Sequence, residues 1–392
     1  MSSDLRPGPG YWPTPQQLLL LRAALWQGSA ALSAWSEWAK QADLDGLDLG
    51  SFRLLPLVYT NLQSLGLDHP WMSRLKGVKR RAWYANRLLF HRMRPVLDAF
   101  ESAGLKTLVL KGPALATLYY PDLGARPMQD FDILVPTHQA PDALGLLSTL
   151  GFTSKPRDGE VFKPGYLSVI HGYQFTDAEG FEMDLHWHVF PDCCRPDSDD
   201  DLWAGAIPLD IEGLATRALN PADQLLHICV HGMRWNPVPP VRWAADAVLS
   251  MTRADGMDWS RLIGQATKRR FIIPLREALR YLHDALDAPV PPDVLASLFA
   301  LPVTPAEQRE YDLLAQPLDA LGPMQRLWLH YRRYVRTQTA TPILEQPGGF
   351  ARFLQYSWGL DHWWEMPAYA LRGGARRAWR ATRSTGSSAK SG

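Results

Sequence analysis

Residues 105–136 read LKTLVLKGPALATLYYPDLGARPMQDFDILVP, and the fold turns on this stretch. Thr107 to Leu110 is a short apolar, β-branched run that predicts a strand. It ends abruptly in Lys111-Gly112-Pro113. Glycine tolerates the backbone of a sharp strand-to-helix turn, and proline suits the first helical turn, so a helix is expected to start there. Its N-terminal N–H groups, beside the Lys111 ammonium, form an arrangement suited to holding phosphates. A second strand is expected from Asp130 to Val135. Side chains alternate across a strand, so Asp130 and Asp132 share one face while Phe131 and Ile133 pack on the other. Two carboxylates at that spacing repel unless a cation sits between them, and Mg²⁺ or Mn²⁺ is the natural guest.

Downstream, His138 to Leu150 reads as a helix closed by Gly151, and a loop rich in proline, glycine and charge follows. A strand is expected near Tyr166 to Thr176, then a turn at 177–180, then the strand FEMDLHWHV at 181–189. Alternation places Phe181, Met183, Leu185, Trp187 and Val189 on one face, and Glu182, Asp184, His186 and His188 on the other. Such a hairpin lies beside the strand of the acid pair and makes Asp184 the candidate third carboxylate. The flanks read as helical. QQLLLLRAALW opens the N-terminal region, and a long helix from about Trp71 to Ala103 repeats Val78, Ala82, Ala85, Leu89, Met93 and Val96 at three- and four-residue steps. The expected organisation is an N-terminal helical region at 1–104, a core at 105–215, a C-terminal helical domain at 216–372 and a basic tail at 373–392. The fold class is α+β, with a small mixed sheet of four or five strands between helical regions.

Lys111 and Gly112, then Arg126, then Asp130-x-Asp132 followed by Leu134 and Val135 resemble the nucleotidyltransferase superfamily that includes DNA polymerase β. In detail they resemble its bacterial family of uncharacterised nucleotidyltransferases. RLLPLVYTNL at residues 53–62 is similar to the N-terminal helical part of the same family. The chain departs from the wider superfamily in having Gly112-Pro113 where Gly-Ser or Gly-Gly is usual, a longer helix, and an extra loop from Tyr120 to Gln129. The serine hydroxyl is missing, which leaves the phosphate contact to Lys111 or Arg126. The resemblance implies an NTP substrate, with Asp130, Asp132 and Asp184 holding two Mg²⁺ ions. An acceptor attacks the α-phosphate in line, and Lys111 or Arg126 neutralises the departing pyrophosphate. His186 is expected to bond the acceptor or a phosphate.

Composition sets the bounds. The chain has 392 residues, 46% hydrophobic and 21% charged, with a formal net charge of +1. That balance speaks against a long nucleic-acid partner, which needs a concentrated basic surface. No apolar run is long enough to span a membrane, and the opening MSSDLRPGPGYWP lacks the basic-then-apolar order of a secretory signal, so the expected location is cytoplasmic. Cys193, Cys194 and Cys229 are odd in number with two adjacent, which argues against a disulfide framework and against a metal site. The acceptor, a small molecule, peptide or protein side chain, is left open, as is the oligomeric state.

The same residues admit rival readings. His186 and His188 with Asp184, plus His227 and His231 four apart on a helix, form a permissive zinc pattern that would imply a hydrolase. An Asp-x-Asp also serves manganese-dependent glycosyltransferases, but those place a larger α/β unit before the acids. A nucleotide-binding module without turnover is the third alternative. For Lys76, Arg80, Arg87 and Arg94 on the long helix, an ordinary solvated face is favoured over a polyanion track. Arg242 and Asp246 are read as a helical i,i+4 ion pair, and Tyr119 and Tyr120 as core packing.

Overall fold

The computed structural model describes residues 11–154, 164–236, 241–317, 320–337 and 347–370. The basic tail at 373–392 and most of the loop between Gly151 and Tyr166 lie outside these. Four helices open the chain: α1 (Pro15–Leu25), α2 (Gly28–Ala39), α3 (Leu49–Ser64) and α4 (Met72–Ser102). Next come β1 (Leu108–Leu110), α5 (Lys111–Tyr119), β2 (Phe131–Leu134), α6 (Ala140–Thr149), β3 (Thr153–Ser154), β4 (Gly172–Thr176), β5 (Glu182–His186), α7 (Asp200–Ala204), β6 (Ile207–Ile211) and β7 (Leu214–Ala218). Helices α8 (Pro221–Gly232), α9 (Arg242–Arg253), α10 (Trp259–Arg269) and α11 (Ile272–Leu286) follow, and further helices lie beyond them. Among the described residues no helix is long and apolar enough to cross a membrane.

The strands form one mixed sheet in the order β3-β4-β5-β2-β1-β7-β6. Seven strands replace the four or five expected. The strands not anticipated are the short β3 and the hairpin β6–β7, the latter turned by Glu212 and Gly213, both at positive φ. Two positive φ values in succession give the turn whose twist matches paired strands. Glu-Gly is a weaker hairpin signal than Asn-Gly, and β7 runs to Ala218, so the expected core edge at 215 falls inside a strand.

Period-two alternation assigns the two faces of the sheet. Val109, Phe131, Ile133, Met183, Leu185 and Trp187 are buried with Leu89, Phe90, Met93 and Phe100 of α4 and Leu147 of α6. Leu108, Leu110 and Leu134 point the other way, into a core shared with Leu115 of α5, Leu225 of α8 and Ala244 of α9. Asp132 has the parity of Leu134, so its carboxylate projects beneath α5, α8 and α9. The acids stand on the face that the C-terminal helices cover.

Helix α4 follows the expected period with one change. Ala85 is exposed and Asn86, beside it, is fully buried. The reason is polar. The Asn86 amide donates to the carbonyl of Leu123 and to that of Arg126 at 2.8 Å, and its oxygen accepts the N–H of Met128 at 3.1 Å. One side chain thus pins the loop leading into β2. On the solvent side, Arg87 pairs with Glu212 and Arg94 donates to the Glu212 carbonyl, so both are tied to the β6–β7 turn. The three cysteines are free and buried. Replacing Asn86 with Ala strands two carbonyls and an N–H in the interior, and about 1–3 kcal/mol of stability should be lost in a denaturant titration. A melting curve equal to that of the wild type would contradict this role.

Candidate active site

Strands β2 and β5 run parallel with Asp132 directly opposite Asp184 and Leu134 opposite His186. The register brings Asp132, Asp184 and His186 together, with a ligand-capable atom of each within 4.8 Å of the others. The His186 Nε2 lies 2.9 Å from Asp132 Oδ1, and the Lys111 ammonium reaches the same oxygen at 2.5 Å. Asp132 Oδ2 and Asp184 Oδ1 are buried without a partner among the described residues. Two orphaned carboxylate oxygens beside an imidazole suit a hard divalent cation, so the residues present fit the metal that the acid pattern implies. Asp130 precedes β2, is exposed, and lines the same cavity outside this tight group.

The electrostatics divide the carboxylates. Burial works to raise the Asp132 pKa, but the Lys111 ammonium and the His186 hydrogen bond outweigh it and hold the carboxyl well below the usual range. Burial and then the Asp132 charge push Asp184 upward, against the pull of His186 and Lys111. Asp130 is raised in the same way, by its protein surroundings and then by Asp132. For Lys111, burial acts to lower the pKa and the Asp132 carboxylate more than compensates, so the ammonium keeps its proton.

The turn at the head of α5 reverses the expected division of labour. Lys111 itself takes the left-handed conformation, with φ of 47°. Gly112 is required for space: a Cβ there would lie 2.9 Å from Arg126 Nη1 and 3.2 Å from Met128 Sδ. Arg126 is buried and paired with Asp246 of α9, Nε to Oδ1 at 2.8 Å and Nη2 to Oδ2 at 2.9 Å. The expected Arg242–Asp246 pair is therefore replaced. Asp246 faces the core loop, and Arg242 donates instead to the Pro127 carbonyl. Tyr120 is buried as expected, with its hydroxyl on Asp246 Oδ1 at 2.6 Å.

A cavity of about 400 Å³ opens over this group, lined by Arg53, Lys111, Gly112, Arg126, Asp130, Asp132, Gln224, His227, His231, Arg242 and Asp246 among others. Gln224, His227, Ile228 and His231 all line it, at the i, i+3, i+4, i+7 spacing of one face of α8. Sequence reasoning singled out the two histidines and missed that face. Gln224 is fully buried, and neither atom of its amide has a partner.

The paired use of His186 and His188 in a zinc site is overturned. His188 lies past the end of β5, where its N–H and that of Trp187 both donate to the His171 carbonyl, which breaks the alternation. Its Nδ1 is engaged by Asp199 at 2.8 Å and its Nε2 by the Leu167 carbonyl at 2.9 Å. No ring nitrogen is left for a metal. Burial, then the neighbouring His231, holds His227 well below the ordinary histidine pKa and keeps it neutral.

A comparison with curated proteins finds no match. Among solved structures, the solution structure of the antibiotic-resistance factor ANT(2'')-Ia aligns at 12% identity and TM-score 0.32, over 50% of this chain and 97% of that one. The crystal structure of an antigenic nucleotidyltransferase-like protein from Paracoccidioides brasiliensis aligns at 17% identity and TM-score 0.35, over 54% of this chain and 92% of that one. The sequence model of a family described as "Uncharacterised nucleotidyltransferase" matches residues 51–287, more than half of the chain, from α3 through the acid-bearing sheet to the end of α11. The chain belongs to this nucleotidyltransferase family.

Proposed function

We propose that the protein transfers a nucleoside monophosphate from an NTP to a hydroxyl or phosphate of a small-molecule, peptide or protein acceptor, with release of pyrophosphate. The observation that carries this reading is the in-register pairing of Asp132 with Asp184, each with an unpartnered oxygen, beside a cavity fronted by the Lys111-Gly112 turn. Asp130, Asp132 and Asp184 would hold Mg²⁺ or Mn²⁺, which when bound supplies charge neutralisation for the triphosphate and activates the acceptor oxygen.

The remaining chemistry belongs to the chain. Lys111 is seated on Asp132 and its ammonium is half-buried. Turned toward the triphosphate, it offers a positive charge to the departing pyrophosphate, and Arg126 offers another across Gly112. His186 keeps the Asp132 carboxylate oriented through Oδ1, leaving Oδ2 to the site. Asp184, opposite Asp132 with a buried oxygen that has no partner among the described residues, is placed to help take the proton of an acceptor hydroxyl.

Incubation with each α-labelled NTP and a divalent cation should give pyrophosphate release or label transfer. Asp132→Asn and addition of a chelator should each abolish it, by about 10²-fold or more in rate. Nucleotide binding without turnover across a broad acceptor panel would sink the transfer reading in favour of a binding module. Gly112→Ala should displace Arg126 Nη1 or Met128, and steady-state kinetics should show a raised KM for the NTP with the fold intact by circular dichroism.

A further inference from the structure

Arg126 is held in an unusual way for a residue that faces a cavity. Three of its guanidinium nitrogens are accounted for as follows: Nε and Nη2 are locked on the two oxygens of Asp246, and Nη1 has no partner among the described residues. That third nitrogen stands over the Lys111-Gly112 turn, where a Cβ on residue 112 would come within 2.9 Å of it, and both residues line the cavity. The fork itself is fixed in turn. The Tyr120 hydroxyl donates to Asp246 Oδ1 at 2.6 Å, and Tyr120, Arg126 and Asp246 are all buried. A bidentate arginine–carboxylate pair is rigid as well as strong, so the direction of the free arm is set by Asp246 and, through it, Tyr120.

We infer that Asp246 and Tyr120 are positioning residues, which clamp two arms of Arg126 so that the third is aimed at phosphate oxygens over the α5 turn. The inference rests on the transfer reading above and adds a specific division of labour to it. A free arginine swings toward a triphosphate and loses side-chain freedom on binding, whereas a clamped one has lost it already. Asp246 cancels much of the guanidinium charge, so the arm contributes a directed hydrogen bond more than bulk attraction. The arrangement also ties α9 to the loop before β2, so anion binding at the core and packing of the C-terminal helices share one carboxylate.

The test uses inorganic tripolyphosphate with Mg²⁺ as the probe, followed by calorimetry on the full chain. Wild-type protein should bind it, and Arg126→Ala should weaken binding by about tenfold or more. Tyr120→Phe, which keeps the ring and its packing, should weaken it by a few-fold with the fold intact by circular dichroism. Millimolar guanidinium should restore binding to Arg126→Ala but not to the Arg126→Ala/Asp246→Asn double variant, because the free cation needs the carboxylate to dock. A purely structural role for the pair predicts no such rescue. Arg126→Ala binding tripolyphosphate as tightly as wild type, guanidinium rescue that is indifferent to Asp246, or a wild type that binds no tripolyphosphate each overturns the proposal. Arg126-dependent binding in a protein that transfers no nucleotide would leave this anion site standing while removing the transfer reading.

Discussion

Two carboxylates facing each other across a pair of parallel strands are the constraint that the rest of the structure accommodates. Register alone sets Asp132 opposite Asp184, and at that separation two charges in a largely buried setting oppose folding unless cations balance them. The chain places Lys111 and His186 on one oxygen of Asp132 and leaves the other oxygen, and one of Asp184, unpaired. The outcome is unequal carboxylates. Asp132 is held firmly ionised, and Asp184 is left with a raised proton affinity.

The helices around the sheet serve that constraint. The loop between Tyr120 and Gln129 is fastened from both sides of the chain. Asn86 of α4 takes three of its backbone groups, and Asp246 of α9 takes the Arg126 side chain. Burying such a loop is costly when its polar groups go unpaired, and these contacts satisfy them. The N- and C-terminal helical regions, which also touch directly where Arg22 and Trp26 donate to the carbonyls of Ala285 and Leu286, thus both hold the segment immediately before the acid-bearing strand.

The alternation of β2 and β5 was legible because a period of two is a local property. Phe131 and Ile133 against Asp132, or Met183 and Leu185 against Asp184, read the same in one dimension as in three. The Lys-Gly turn was located but its parts were exchanged, since nothing local says that Lys111 adopts the left-handed backbone while Gly112 makes room for Arg126 and Met128. His188 shows where alternation stops being informative. The strand ends at His186, the two following N–H groups share one carbonyl, and a residue two positions on no longer shares the face. Spacing on α9 suggested Arg242 as the partner of Asp246. A partner 120 positions away leaves no periodic trace, and the buried Arg126 wins because its fork meets both oxygens at once.

The same limit applies to charge. A net value of +1 over 392 residues averages away a strongly uneven cavity. Arg53 from α3, Lys111 from α5, Arg126 from the core loop and Arg242 from α9 converge there, while α8 contributes Gln224 and His227, the latter kept neutral by burial. Asp130, Asp132 and Asp246 line the same cavity, with Lys111 seated on Asp132 and Arg126 on Asp246, so the cations there are partly balanced while the α8 wall is polar without charge. Attraction for a polyanion falls off steeply in water but is retained where low-dielectric walls focus it, so a concentrated set of cations in a cleft acts on a triphosphate as whole-molecule charge does not. Composition argues against a long polyanion spread over the surface, and it is silent about a short one enclosed by residues from five separate segments.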